Sequence, residues 1–390
     1  MNLNFRQRCF FGFFFIVFCS QSLQASQYWP NSVLFKSMPE SPYLAAPNIT
    51  ISGAYAKDAY NADGKSVPFL QQYGSEDLLK RFVDTTLPSD SVESMGNGLI
   101  SGEYHFRQLI TQCSKNIMHG FFIGLEFVFQ DLTVSSINVD YAPSEEQLTA
   151  EQKDYLVDLK QIIPSTINES GLFTTFVLLG WHKKFESFKH LDFLDICFDT
   201  GFAAPSSMKR NNNSILQIPF IDLPCFVYPL ISILTIGFRE KYVLGWYGLV
   251  MPYQPTVIQA AVNTTSSNSQ LLLTDSVPVI LSPGLNLSSA IYLQISDLYP
   301  GYTGTIAYSC MGGASTSVKP IHPIEITDLS EHDPWNCGSL IFQLDYNFAT
   351  KSKPRAPIVS GFFSVPLSGK LYQKSYLFGG ACTLQINYDF

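Results

Sequence analysis

The sequence predicts an all-β fold, a transmembrane antiparallel up-and-down β-barrel of about 12 strands with short helices in long extracellular loops. Three observations support this prediction. Apolar and polar residues alternate along many segments, these segments are longer than the strands of soluble proteins, and the connections between them are alternately long and short. Only 14% of the residues are charged, and after residue 25 no uncharged apolar run is long enough for a spanning helix.

The alternation predicts which side chains face lipid and which face the interior. In segment 121–130 every second residue is apolar, and segments 98–111 and 339–348 alternate in the same way. In a transmembrane barrel the apolar face meets lipid and the polar face lines the lumen. The charged residues that we predict to line the lumen are Glu103, His105, Arg107, Glu126, Asp195, Asp199 and Asp345.

Each strand can be placed from the alternation and from the turn residues that bound it. Long connections separate each odd strand from the next even strand, and short turns separate each even strand from the next odd strand, as in outer-membrane barrels. An even number of strands places both chain ends on the periplasmic side. We predict strands near 47–57, 98–111, 118–131, 171–183, 191–203, 225–239, 242–252, 287–298, 303–312, 335–349, 355–366 and 374–390.

The amino-terminal segment is typical of a secretory signal peptide. Residues 1–25 carry two arginines, then a short apolar run, then small and polar residues that end at Ala25. A single membrane anchor is the alternative, although the apolar run is short for one. We therefore predict a cleaved signal peptide at 1–25, a periplasmic extension at 26–46 and the barrel at 47–390.

The carboxy-terminal strand carries a pattern that resembles the terminal signature of Gram-negative outer-membrane β-barrel proteins. Leu384, Ile386, Tyr388 and Phe390 are apolar or aromatic at every second position, and Phe390 is the last residue. The resemblance implies a place in the bacterial outer membrane, surrounded by outer-membrane lipid. It also implies that the barrel-assembly machinery reads these four residues as an assembly signal. The alternative is an aromatic ending on a soluble β protein.

Two of the long connections contain helix signals. Segment 149–163 begins at capping-box spacing, has apolar residues on one helical face, and is followed by Pro164. Segment 74–88 begins at Ser75 with acidic residues in its first turn. We expect both to be short amphipathic helices, which either cap the rim of the barrel or fold inward and narrow the pore.

The motifs of several other protein classes are missing from the sequence. There is no Gly-x-Ser-x-Gly, no His-Glu-x-x-His and no cysteine pair at zinc spacing, so we predict no enzyme activity, no cofactor and no metal. A formal net charge of −8 without basic runs argues against nucleic acid. Two cysteine pairs flank long loops and are candidates for disulfides, Cys310 with Cys337 and Cys197 with Cys225.

The function that the sequence favours is diffusion of small polar solutes through a narrow, mildly acidic lumen. Charged side chains on an inner wall give a pore its preference among ions. Eight-stranded barrels have filled interiors and sixteen-stranded barrels have water channels, so a barrel of intermediate size has either an open narrow pore or an interior filled by a pairing network. The alternative function is a non-conducting surface barrel whose long loops bind a host or matrix partner.

Overall fold

The chain forms a closed antiparallel barrel in a computed structural model. The structure describes residues 44–77, 97–142, 150–186, 188, 190–204, 216, 225–262, 271–272, 275–324, 326, 333–348, 357–384 and 386–387. The strands are β1 (Leu44–Ala56), β2 (Asp58–Tyr60), β3 (Ser66–Pro68), β4 (Glu76–Asp77), β5 (Asn97–Met118), β6 (Phe121–Ala142), β7 (Ile167–Glu186), β8 (Phe193–Ala204), β9 (Leu230–Phe238), β10 (Tyr242–Met251), β11 (Thr256–Val262), β12 (Asp275–Ser282), β13 (Asn286–Tyr299), β14 (Tyr302–Gly313), β15 (Ser317–Pro320), β16 (Trp335–Asn347), β17 (Ile358–Lys370), β18 (Tyr372–Gln373), β19 (Tyr376–Thr383) and β20 (Ile386–Asn387). A 3-10 helix, η1 (Gln71–Tyr73), and an α-helix, α1 (Ala150–Ile162), lie in the connections.

Twelve of these strands build the barrel, in the order β1, β5–β10, β13, β14, β16, β17 and β19. The sheet closes because β1 pairs on one side with β5, from Ala45↔Lys115 onward, and on the other side with β19, from Asn48↔Thr383 onward. Closure pairs the backbone groups that an open sheet would leave exposed to lipid. The predicted twelve-stranded up-and-down barrel is confirmed.

The first long hairpin is longer than its sequence indicated. We predicted a turn near 112–117, but β5 and β6 join at His119 and Gly120, which both have positive φ angles of 51° and 85°. A side chain at Gly120 would place its Cβ only 2.2 Å from the carbonyl oxygen of His182, so this turn requires glycine. Gln112, Ser114 and Asn116 resemble turn residues, but they are polar because they lie on the inner face of β5.

The outer face of the barrel is apolar over a band of membrane thickness. On β6 the exposed residues Phe121, Ile123, Leu125, Phe127 and Phe129 follow each other on one face. At about 3.4 Å per residue and the usual strand tilt, they cover roughly 20–25 Å along the membrane normal, close to the apolar band of known barrels. We name this outer surface the apolar band.

Beyond the extracellular edge of the apolar band, the polar and apolar residues of β5 exchange faces. On β5 the outer residues become Arg107, His105 and Glu103, while the inner residues Phe106 and Tyr104 are buried. The part of the hairpin beyond the membrane is in water, so polar residues face outward and apolar residues face the interior, as in a soluble protein. The membrane surface at the extracellular end of the barrel therefore lies between the levels of Leu109 and Arg107.

The ends of the strands at the short turns carry aromatic residues. Tyr302 and Tyr346 pair across β14 and β16 with ring centroids 4.6 Å apart, and Tyr299 lies 6.0 Å from Tyr302. Such rings are enriched where a membrane meets water. Trp335, at the opposite end of β16 from Tyr346, is fully buried inside the barrel and stacks on Tyr372.

The long connections form additional structure at the other end. Strands β11, β12 and β15 make a three-stranded antiparallel sheet, and β2 pairs with both β3 and β18. The predicted helix at 149–163 is present as α1, which buries Leu156 and Leu159, and Ile163 just beyond its end is also buried. Within the described residues, no helix is long and apolar enough to cross a membrane.

The remaining local predictions require correction or lie outside the described residues. The helix predicted at 74–88 does not begin at Ser75, because Glu76 and Asp77 form β4 and pair with β5; residues 78–96 lie outside the described part. The first strand begins at Leu44 rather than at residue 47. The predicted signal peptide at 1–25 and most of the 26–46 extension also lie outside the described residues.

The two predicted disulfides are absent, and all four cysteines are free thiols. Cys310 lies opposite Gly338, and Cys337 lies opposite Met311, so the two sulfur atoms point to opposite faces of the sheet. Cys225 lies two residues from Val227, which bridges to Ala203, six residues along β8 from Cys197. Six residues of a strand span about 20 Å, far beyond disulfide reach.

Candidate functional site in the barrel lumen

The inner face of the membrane-spanning strands is polar. Ser52, Gln108 and Gln130 face inward side by side on β1, β5 and β6, and Ser309 and Ser339 do so on β14 and β16. This face lies behind the apolar band, so polar side chains here avoid lipid. The lumen wall is therefore the place where a solute and this chain would meet.

A cluster of ionisable residues lies on the inner face of β7 and β8. His182 Nε2 lies 2.6 Å from Asp195 Oδ1, and the thiol of Cys197 donates a hydrogen bond of 3.1 Å to Asp199 Oδ1. Lys184 is the next inner residue on β7, and its ammonium lies 4.9 Å from the centre of the Phe193 ring. We name these five ionisable residues, together with Glu126 on β6, the charged wall.

Aromatic rings beside the charged wall lie flat against glycines of neighbouring strands. A Cβ atom at Gly180 would lie 2.2 Å from Phe122 and 2.5 Å from the Asp199 carboxylate, and one at Gly245 would lie 2.0 Å from the Tyr292 ring. The Tyr292 hydroxyl continues along the wall and forms a 2.9 Å hydrogen bond with Thr235 Oγ1, two strands away. These rings extend along the wall and not toward the barrel axis.

On the opposite wall, formed by β1, β13, β14, β16, β17 and β19, the inner-face residues that the structure describes are neutral except for one carboxylate. Its hydroxyl and amide groups bond to one another: Asn48 donates to Thr383 at 2.5 Å, and Thr50 donates to Asn48 at 2.9 Å. Asp345 is the exception, and it accepts hydrogen bonds of 2.9 and 3.1 Å from the Gln343 amide. Asp345 is therefore held against its own strand.

On the extracellular side of the charged wall, beyond Val128, two glutamines have amide donors for which the described residues provide no hydrogen-bond partner. Gln108 and Gln130 are paired in register on β5 and β6, face the lumen, and are only 3% and 5% exposed. A buried donor left unpaired costs about 1–3 kcal/mol, so this position favours a water or a solute that accepts hydrogen bonds.

The lumen is closed at the extracellular end by a segment that we name the plug, residues 57–77 together with 371–375. Strand β2 pairs with β18, and the Leu371 and Lys374 amides donate to the Asn61 and Asp58 carbonyls at 3.2 and 2.9 Å. The buried residues of the plug share one apolar core with inner-face residues of eight barrel strands, β1, β5–β8, β16, β17 and β19. The members from the plug are Ala59, Phe69, Leu70, Tyr73, Leu371 and Tyr372, and those from the wall include Phe106, Val134, Phe173, Ala203, Phe362 and Leu377.

A buried carboxylate attaches an extracellular loop to the plug. Glu76 is 1% exposed, and its two oxygens accept hydrogen bonds of 3.1 and 3.0 Å from the Leu271 amide and one of 3.4 Å from the Leu272 amide. Leu271 and Leu272 are themselves buried in the same apolar core. The mouth is therefore covered by packed hydrocarbon and by hydrogen bonds between segments far apart in sequence.

The structure separates the seven predicted lumen residues into two groups. Glu126, Asp195, Asp199 and Asp345 lie on the inner face, with the buried residues of their strands. Glu103, His105 and Arg107 lie on the outer face above the apolar band, so their predicted lumen position is wrong. The alternation was identified correctly, but on this part of β5 the polar face is the face toward external water.

The contacts of these three outer residues are those of a solvated surface. Lys57 Nζ lies 3.0 Å from Glu103 Oε1, and Arg107 Nη1 lies 4.0 Å from Asp131 Oδ2. The hydrogen bond from Lys57 lowers the pKa of Glu103 below its usual range. Such exposed pairs contribute little to stability, because water screens them.

The comparisons with known proteins bear on the fold. The barrel of an outer membrane channel from Pseudomonas putida F1 matches with a TM-score of 0.52 at 9% identity, covering 90% of this chain and 100% of that chain. The chain has the fold of a Gram-negative outer-membrane β-barrel.

Two further solved barrels match more weakly. The translocator domain of autotransporter NalP from Neisseria meningitidis has a TM-score of 0.38 at 7% identity and covers 90% of each chain. A Pseudomonas aeruginosa FadL homologue has a TM-score of 0.34 at 9% identity and covers 89% of each chain. Neither value is high enough to support an argument about this outer-membrane barrel. No protein-family model and no curated protein matches the sequence.

The sequence also contained a signal for two lumen residues that we did not predict. In segment 178–184 of this barrel, Leu178, Gly180, His182 and Lys184 lie on one face, and His182 and Lys184 are the inner partners of Cys197 and Asp195. Continuing the alternation of β7 past Gly180 identifies both residues. Tyr247 on β10 and Tyr292 on β13 also lie on the inner face, and they were missed because aromatic residues are expected on the lipid face of a barrel.

The terminal assembly segment is described only in part. Leu384 is exposed on the outer face, and Ile386 pairs with Ala45 through β20 and β1. Tyr388 and Phe390 lie outside the described residues. The pairing of β20 with β1 places the last described residues of this barrel next to its first ones.

Proposed function

We propose that this chain is an outer-membrane channel for small polar solutes, with a preference for cations. The main support is the contrast between the two faces of one closed sheet, an apolar band outside and a polar lumen inside. The described inner-face residues of β6, β7, β8 and β16 carry five carboxylates against one lysine and one histidine: Glu126, Glu186, Asp195, Asp199 and Asp345 against Lys184 and His182, with Lys184 Nζ 3.5 Å from Glu186 Oε1. The similar fold of a solved outer membrane channel supports the same proposal.

Passage through this channel requires movement of the plug. The plug packs against the strands around the mouth, while the charged wall lies toward the end with the short turns. A solute from outside would meet the plug first, then the amides of Gln108 and Gln130, then the charged wall. We propose that the plug is the gate and that the charged wall sets the ion preference.

The ion preference predicts the effect of removing charge from the wall. In the double variant Asp195→Asn/Asp199→Asn, two of the five inner carboxylates become neutral, and the ratio of potassium to chloride permeability should fall severalfold. The measurement is the reversal potential of single channels in a planar bilayer under a potassium chloride gradient. The matched control is Glu103→Gln, which removes a carboxylate from the outer face. Equal reversal potentials in all three proteins would contradict the proposed role of the wall.

The second candidate function is a non-conducting surface barrel whose loops bind a host or matrix partner. The closed mouth favours it, and so do the aliphatic residues Val257 and Ile280, which are paired in register and exposed on the sheet of β11 and β12. Single-channel recording separates the two functions. Absence of openings in the natural protein and also in a variant with a loosened plug would favour the second.

The proposed assembly signal gives a prediction of its own. Phe390→Ser should lower the amount of protein that reaches the outer membrane, because the assembly machinery would no longer recognise the last strand. Burying a phenylalanine contributes only about 1.5–3 kcal/mol, so the molecules that do assemble should migrate normally on heat-modifiability gels. Membrane fractionation measures the yield. An unchanged yield after deletion of residues 384–390 would contradict the signal.

A further inference from the structure

The outer surface of the barrel contains an apolar groove on the side formed by β13, β14, β16, β17 and β19. Its volume is about 690 Å³, and it is lined on this face by residues that include Leu298, Gly304, Leu344, Gly361, Phe363 and Phe378. The groove does not belong to the lumen, so an inference about it does not depend on the proposed channel function.

The register of the strands explains the shape of the groove. One outer row across the strands consists of large side chains, Ile306, Phe342, Phe363 and Phe378, which are partners in adjacent strands. The next row toward the short turns includes Gly304, Leu344, Gly361 and Gly380 in the same way. The Leu298 side chain lies over Gly304, 2.6 Å from the position of an added Cβ, so the depression beside the wall of three phenylalanines is open over Gly361. From β14 to β19 it extends for about 14 Å.

The floor of the groove is open at Gly361. A Cβ atom placed there would meet no other atom within 4 Å, and the glycine has no positive φ angle that would explain its presence. Glycine also weakens a strand, because it has no side chain to pack and loses more conformational entropy on folding. The open space at Gly361 is therefore not explained by the backbone of this chain.

The position of the groove identifies the medium that fills it. The row of outer residues directly below it contains the Tyr302–Tyr346 pair, which lies at the membrane boundary on the short-turn side. The groove thus lies inside the apolar band, one row into the bilayer half that faces the periplasm. Water has no hydrogen-bond partners on such a surface, whereas hydrocarbon loses nothing by entering it.

We propose that the groove binds one acyl chain of a glycerophospholipid from the periplasmic half of the membrane. A chain in the groove contacts protein on its floor and along its phenylalanine wall, and many small dispersion contacts then hold it more firmly than the lipid around a smooth barrel. The headgroup of such a lipid lies at the level of Tyr302 and Tyr346, whose hydroxyl groups can donate to phosphate oxygens. The ligand class is therefore a two-chain phospholipid.

The test is a variant in which a new side chain on the floor of the groove occupies its open space. In Gly361→Leu the new side chain enters the open space, and the protein should lose at least tenfold in retained lipid. The barrel is folded in detergent, mixed with a phosphatidylethanolamine that carries a palmitoyl and an oleoyl chain, and examined by native mass spectrometry. The natural protein should retain one lipid. The matched control is Val359→Leu, which enlarges an exposed outer residue on the same strand outside the groove lining.

A second variant covers the case in which Gly361→Leu does not fold. Phe378→Ala removes part of the wall, where the side chain is 59% exposed, and it should also reduce lipid retention while heat-modifiable migration stays normal. Equal lipid retention in the natural protein and in both groove variants overturns the proposal. So does a natural protein that is dimeric without lipid and becomes monomeric in Gly361→Leu, since the occupant is then a second copy of the chain.

Discussion

Trp335→Ala is expected to open the extracellular mouth of the barrel. Trp335 is fully buried, its ring lies 5.2 Å from that of Tyr372 in the plug, and both belong to the core that fills the mouth. Truncating a buried tryptophan costs about 3–5 kcal/mol. If that cost falls on the closed state, the ratio of open to closed mouths rises about 100-fold or more, because each 1.4 kcal/mol is a factor of ten.

Single-channel recording in a planar bilayer measures this change as the fraction of time spent open. Trp246→Ala is the matched control, because it removes the same side chain from the outer face, where the indole donates to Ser289 at 2.9 Å. The control should open as rarely as the natural protein. If Trp335→Ala folds normally and still opens no more often than the control, the plug is not the gate.

Leu125→Arg is expected to prevent most of the protein from inserting. Leu125 lies on the outer face of β6 near the middle of the apolar band, between Ile123 and Phe127. An arginine facing lipid at mid-membrane costs about 2–4 kcal/mol, while the same residue near the interface costs about 0–1 kcal/mol. Thr133→Arg adds the same charge to the same face of the same strand, but above the membrane level inferred from Arg107 and Asp131.

The folded fraction after refolding into lipid vesicles, read from heat-modifiable migration on gels, distinguishes the two variants. Leu125→Arg should be largely unfolded at a urea concentration where Thr133→Arg and the natural chain remain folded. If both variants lose the same folded fraction, the membrane surface lies higher on β5 and β6 than the structure indicates. Equal tolerance of both would contradict the lipid-facing assignment of β6.

The number and order of the barrel strands were readable from the sequence because they depend on a local property. A strand that separates two different media alternates with a period of two, and this pattern is visible in any window of ten residues. The helix at 149–163 was readable for the same reason, since its apolar spacing and Pro164 are local. The terminal alternation from Leu384 onward likewise indicated the type of barrel before any fold was known.

The sequence did not reveal where the membrane ends along a strand. Tyr104 and Arg107 alternate on β5 as Glu126 and Phe127 do on β6, yet the polar member faces outward in the first pair and inward in the second. A period of two divides the residues of a strand between two faces, but it does not identify the face that meets the more polar medium. Which face that is depends on the height of the residues relative to the bilayer, and the closed sheet and its apolar band determine that height.

Amino-acid sequence alone thus determined the twelve-stranded sheet, which of its connections are short, and the residues that share a face. Tertiary structure alone decided three other features: the plug within the mouth, the meeting of His182 with Asp195, and the groove over Gly361. Each of these joins residues from strands or loops far apart in the chain. Their positions depend on the register between strands and on closure of the barrel, and no local pattern records either of these.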